Sequence, residues 1–122
     1  MENWQTIFGG REAALASRVA VYVPSTTDVN VRDKKLSARI EKETASALSA
    51  LFGGATVTEA RGYWLSDAAG LIGEDVKIIY SNTTRDALDE HAEDIHGIAE
   101  HIKRVMKHEA VSVELDGALY FV

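Results

Sequence analysis

The chain has 122 residues, 46% of them hydrophobic and 26% charged, with 13 basic against 19 acidic side chains and a net charge of −6. That is the size of one domain with its own core, and the composition excludes a disordered, collagen-like or coiled-coil chain. With no cysteine there are no disulfides, thiolate metal sites or cysteine nucleophiles, and the acidic balance makes DNA or RNA an unfavourable partner.

Residues 1–16, "MENWQTIFGGREAALA", read as an N-terminal extension, helical in part, without the apolar run of a secretion signal. Nowhere do about 18 apolar residues stand together, so no membrane span is expected and a cytoplasmic location is. "SRVAVYVPS" (17–25) alternates Val19, Val21 and Val23 with Arg18, Ala20 and Tyr22, the two-residue period of a half-buried strand, and Pro24 ends it. From 32 to 52, Leu36, Ile40, Ala47, Leu48 and Leu51 fall at helical spacing. "ATVTEARGYWLS" and "LIGEDVKIIYS", joined by "DAAG", predict two strands and a short loop.

The next stretch, 82–108, predicts one helix opening with Thr83 as its N-cap three residues before Asp86. Leu88, Ala92, Ile95, Ala99, Ile102 and Met106 share one side, with acids in the first half and Lys103, Arg104, Lys107 and His108 at the end, as the helix dipole favours. "AVSVELDGALYFV" closes the chain with a hairpin signal at Asp116-Gly117. The order predicts an α+β, ferredoxin-like βαββαβ domain over 17–122, two helices on one face of an antiparallel sheet, with an extra C-terminal hairpin strand.

The doubled glycines at 9–10 and 53–54 invite a phosphate-loop reading, which needs a strand before the glycines and a helix after them. Around Gly53-Gly54 that order is reversed, so a left-handed helix C-cap is expected; Gly9-Gly10 reads as a break between two short helical pieces.

If the valines of the first strand face the helices, parity puts Arg18 and Tyr22, then Glu59, Arg61 and Tyr63, then Asp75, Lys77 and Ile79, then Ser112 and Glu114 on the open face. Arg18, Tyr22, Glu59, Arg61, Tyr63 and Lys77 are therefore the candidate binding residues, because tyrosine and arginine anchor contacts. The alternative is a solvated face laced by cross-strand ion pairs. The same parity sends Thr56, Thr58, Ala60, Gly62 and Trp64 to the core. Histidines 91, 96, 101 and 108 do not share a helix face at metal-binding distance, so no metal or cofactor is expected. An acid–base pair assembled from Glu59, Glu74 and a histidine is a possibility that spacing does not show.

The runs "VYVPSTTDVN", "LFGGATVTEARGYWLSDAAGLIGEDVKIIYS" and "EAVSVELDGALYFV" resemble a group of small proteins of bacteria, phages and plasmids, with F-G-G-x-T and G-x-W as its best signal, here at Phe52 to Thr56 and Gly62 to Trp64. No activity comes with that resemblance. It implies a non-enzymatic, mobile-element interaction protein, for example an anti-defence inhibitor, binding a host protein through the open sheet face as a homodimer. The second reading is a small-molecule or nucleotide binder, sequestering or weakly catalytic, with a pocket near the Trp64 hairpin.

Overall fold

The valine alternation does make a strand, β1 (Ser17–Pro24), and in the computed structural model, which describes residues 3–27 and 31–122, β1 is the middle strand of an antiparallel sheet. Before it lie a five-residue helix α1 (Trp4–Phe8) and a 3₁₀ turn, Arg11–Ala13, separated at Gly9 and Gly10, both with positive φ, as the sequence suggests. After it come two short strands paired with each other, β2 (Thr26–Thr27) and β3 (Val31–Arg32), and then α2 (Lys34–Phe52). Asp33 caps α2, its carboxylate accepting from the Leu36 N–H, and Gly53 ends it at φ 92°, the left-handed C-cap expected.

A long hairpin follows, β4 (Thr56–Ser66) and β5 (Gly70–Thr83), then α3 (Arg85–Glu90), α4 (Ala92–Met106), β6 (Ser112–Leu115) and β7 (Ala118–Phe121). The cap of α3 is Thr84, whose hydroxyl accepts from the Ala87 N–H; Thr83, the expected cap, is the buried last residue of β5. One helix was expected over 82–108. Two form, because His91 leaves helical geometry at φ −105° and ψ 17°, with its ring edge-on to Phe52 at 5.6 Å. The closing hairpin turns at Asp116 (φ 48°) and Gly117 (φ 86°), the two positive φ values of a type I′ turn.

The sheet runs β4-β5-β1-β6-β7 and every neighbouring pair is antiparallel. Val19, Val21 and Val23 of β1, with Ile79 and Val113 beside them, bury against Ile40 and Leu48 of α2 and Ile95, Ala99, Ile102 and Met106 of α4. Both helices thus cover one face, and among the described residues no layer lies over the other.

Register corrects the parity drawn from the sequence. Ile79 pairs with Val21 and is fully buried, and Lys77 pairs with Val23 and reaches Glu41 of α2 at 2.6 Å, so the odd positions of β5 face the helices. Through the β4–β5 register, Glu59, Arg61 and Tyr63 face that way too, while Thr56, Thr58, Ala60, Gly62 and Trp64 lie on the uncovered side with Glu74, Val76, Ile78 and Tyr80. Ser112 and Glu114 are on the uncovered side as expected. The pattern misleads because β4 is an edge strand that buries almost nothing on either face, and because β5 is apolar on both faces at Ile78 and Ile79.

β4 and β5 stay paired out to Ser66 and Gly70, whereas β1 stops at Pro24 opposite Val76. The outer half of the hairpin therefore projects past the sheet, leaving a notch between β5 and β6. The chain exposes 8081 Å². A compact protein of 13.3 kDa exposes about 6,500 Å², so roughly 1,600 Å² is in excess.

Candidate functional site

The notch at the end of β1 gathers chemistry that the sequence scatters. Tyr22 and Pro24 come from β1, Trp64 from β4, Glu74 and Val76 from β5, and His108 and Ser112 from the connection into β6, around a cleft of about 230 Å³. Trp64 is half exposed, and its partner across the hairpin is Ile72. Its expected place in the core is thus replaced by a place on the wall of the cleft.

Glu74 is held from behind. The Thr26 hydroxyl donates to its Oε1 at 2.8 Å, and the Thr26 carbonyl accepts from His108 Nε2 at 2.6 Å. That bond puts the His108 proton on Nε2 and ties the end of α4 to the β2 segment. Both nearby arginines, Arg32 and Arg61, are engaged by Asp75, so among the described residues Glu74 has no cationic partner. A carboxylate fixed at one oxygen and flanked by aromatic rings is suited to a cation.

A second cleft of about 390 Å³ lies on the helix side, lined by Ser25, Arg32, Lys34, Ser37, Glu59, Asp75 and Lys77. Two of its charges are matched, Lys77 by Glu41 and Arg32 by Asp75, while Lys34 and Glu59 have no ion-pair partner among the described residues; the Ser37 hydroxyl donates to the Pro24 carbonyl at 3.1 Å. The exposed Arg32–Asp75 pair is of a kind that contributes about 0–1 kcal/mol.

The six residues singled out from the sequence therefore fall in four places. Tyr22 lines the notch. Glu59 and Lys77 line the helix-side cleft. Arg61 and Tyr63 pack together on the helix side of the hairpin, the Arg61 Nε donating to Tyr63 Oη at 3.1 Å and its Nη1 to Asp75 at 2.8 Å; the Tyr63 hydroxyl first, then Asp75, raise its pKa above the ordinary arginine value. Gly73 makes this packing possible, since a Cβ there would stand 2.9 Å from Tyr63 Cε1. Arg18 lies at the far end of β1, its guanidinium 4.1 Å from the Tyr80 ring centre and its Nε donating to Asn82. Thr26 and His108 carry no motif signal; only the β2 turn, fixed in three dimensions, makes them neighbours of Glu74. No group of three or more metal-ligating side chains forms among the described residues, and no described helix is long and apolar enough to cross a membrane.

No protein-family model matches the sequence, and no curated protein sequence does. Solved structures do resemble the fold. A phage SAM lyase in complex with S-methyl-5'-thioadenosine superposes with a TM-score of 0.59 at 14% identity, over 87% of this chain and 88% of that one. The phage SAM lyase in its apo state gives 0.57 at 14% identity, over 87% of each chain. Pyrococcus horikoshii CutA gives 0.47 at 16% identity, over 84% of this chain and 83% of that one.

Proposed function

We propose that this chain, on a ferredoxin-like βαββαβ scaffold, binds a sulfonium nucleoside of the S-adenosylmethionine class in the notch at the end of β1 and acts on it as a lyase. The observation that carries the reading is the Glu74 carboxylate, without a cationic partner among the described residues, set with Tyr22 and Trp64 around one cleft and fixed by Thr26. Aromatic rings suit a purine base, and a carboxylate in a partly apolar cleft suits an ammonium or sulfonium charge.

The chemistry fits a site with so few ionisable groups. A sulfonium sulfur departs as a neutral thioether when the substrate's own carboxylate attacks the γ-carbon, closing a lactone as the carbon–sulfur bond breaks, so the step needs no proton donor or outside nucleophile and calls for orientation and exclusion of water. The fold likeness to a phage SAM lyase holding S-methyl-5'-thioadenosine supports the same assignment. It also suits the phage or plasmid setting that the F-G-G-x-T and G-x-W resemblance implies. Capture of a host protein has less support, because Arg18, Tyr22, Glu59, Arg61, Tyr63 and Lys77 do not form one surface.

At about 230 Å³ the notch is below the roughly 300–1,000 Å³ of a site that encloses a small ligand. The remaining wall, in this proposal, is a second copy of the chain laid on the uncovered sheet face. The test is calorimetric titration with S-adenosylmethionine and S-methyl-5'-thioadenosine, with chromatography for release of the latter from the former. Glu74→Gln should weaken binding about tenfold or more, the loss of a charge-assisted contact, and Glu59→Gln should leave it unchanged. A wild-type protein that binds neither compound ends the reading.

A further inference from the structure

The helix α1 is capped at both ends and buries nothing. The Asn3 Oδ1 accepts from the Thr6 N–H and hydroxyl, and Gly9 closes the helix at φ 95°, its N–H and that of Gly10 both donating to the Gln5 carbonyl. Trp4, Ile7 and Phe8 stand at i, i+3 and i+4 on one side, yet they are 65%, 63% and 77% exposed. Five residues of helix do not persist alone in water, where even good sequences need about 12–15. A formed, capped, apolar turn of this length is the shape of a segment that docks.

An acceptor of matching character lies on the same chain. The outer half of the β4–β5 hairpin carries Tyr63, Leu65 and Leu71 on its helix-facing side, Leu65 directly opposite Leu71, and they are 61%, 78% and 67% exposed because the hairpin has run past the end of the sheet. The two surfaces cannot meet within one molecule. The segment joins β1 at Ser17, which pairs with Thr83, and Thr83 is twelve positions along β5 from Leu71, about 40 Å of strand. Phe8 is nine positions from Ser17 and reaches at most about 30 Å even when fully extended.

We infer that residues 3–16 form an exchanged arm, with Trp4, Ile7 and Phe8 packing on the hairpin tip of a second copy of this chain. Arm and acceptor are different surfaces, so a reciprocal exchange between two copies engages both arms and both hairpin tips. The excess exposed area, roughly 1,600 Å² per chain, is of the order that such an assembly buries. The inference is independent of the ligand assigned to the notch.

The absence of native cysteine makes the test direct. Phe8→Cys and Leu71→Cys are placed in separate full-length chains, mixed and oxidised, with Phe8→Cys plus Glu90→Cys as the distant control. The Phe8–Leu71 mixture should give roughly tenfold or more mixed disulfide than the control, as a docked pair has a high effective concentration. Deletion of residues 3–10 should lower the mass measured by light scattering. No excess of mixed disulfide, under conditions where the cross-strand pair Leu65→Cys/Leu71→Cys oxidises, overturns the inference. So does an intrachain disulfide in the Phe8→Cys/Leu71→Cys double variant at high dilution, or an unchanged mass after the deletion.

Discussion

Thr26 joins two side chains that are far apart in the sequence, donating its hydroxyl to Glu74 and accepting at its carbonyl from His108. If Glu74 meets the ligand, Thr26 is a positioning residue. Thr26→Val should weaken binding of S-adenosylmethionine about fivefold, the worth of one hydrogen bond near 1 kcal/mol, and Thr26→Ser should restore it; equal affinity in all three proteins would remove Thr26 from the site. At the other end of the sheet, Asp116 accepts from the Arg18 N–H and the Ser17 hydroxyl, both at 2.8 Å. These bonds, in that order, with Arg85 and Arg11 adding to them, hold its pKa below the ordinary carboxylate value. A lowered folded pKa gives stability that is complete above the unfolded value, about 3.9, and is lost as pH falls through the folded one. Asp116→Asn should therefore lower the urea midpoint at pH 6 and leave it unchanged at pH 2; an equal loss at both would show that the turn, and not the charge, is responsible.

At the scale of elements, the glycine helix ends were readable, the N-cap of α3 and the break at His91 were not, and neither were the strand faces of the β4–β5 hairpin. Gly53 sits at φ 92° with open space where a Cβ would go, so Gly53→Ala meets only the backbone cost and should destabilise by about 1 kcal/mol. The end of α4 offers the opposite case. Lys107 adopts φ 55° without a glycine's freedom, at the point where the chain turns so that His108 can reach Thr26. Lys107→Gly should stabilise by up to about 1 kcal/mol in thermal unfolding, and a loss of stability would mean that the lysine side chain contributes more than its backbone costs. Both ends follow from local rules acting over a few residues. Strand parity depends on which face a helix later covers, and in β4 neither face is covered well enough to leave a record in the pattern. Glu59, Arg61 and Lys77 were placed on the wrong side for that reason, whereas β1, buried by both helices through its valines, was placed correctly.

The molecule as a whole is a half-covered sheet. Val76, Ile78 and Tyr80 run down the middle of its uncovered face, with Tyr22 beside them. On the proposed assembly, light scattering should give a mass above the 13.3 kDa of one chain at micromolar concentration. Ile78→Lys should disrupt the sheet-face contact and weaken ligand binding with it, because in this proposal the second copy completes the notch. An Ile78→Lys protein that still bound the ligand at full affinity would remove the second copy from the site.

The sequence by itself determined the composition class, the main strands and helices, the C-cap at Gly53, the break at Gly9-Gly10 and the final turn, since each is set by periodicity or by the φ preference of one or two residues, while the β2–β3 pair and the break at His91 were not readable. Tertiary structure alone decided which side of the hairpin faces the helices, and where the notch lies. It brought Thr26 and His108 to Glu74 because β1 stops at Pro24 while β5 runs on, a difference in strand length that matters only once the strands are paired.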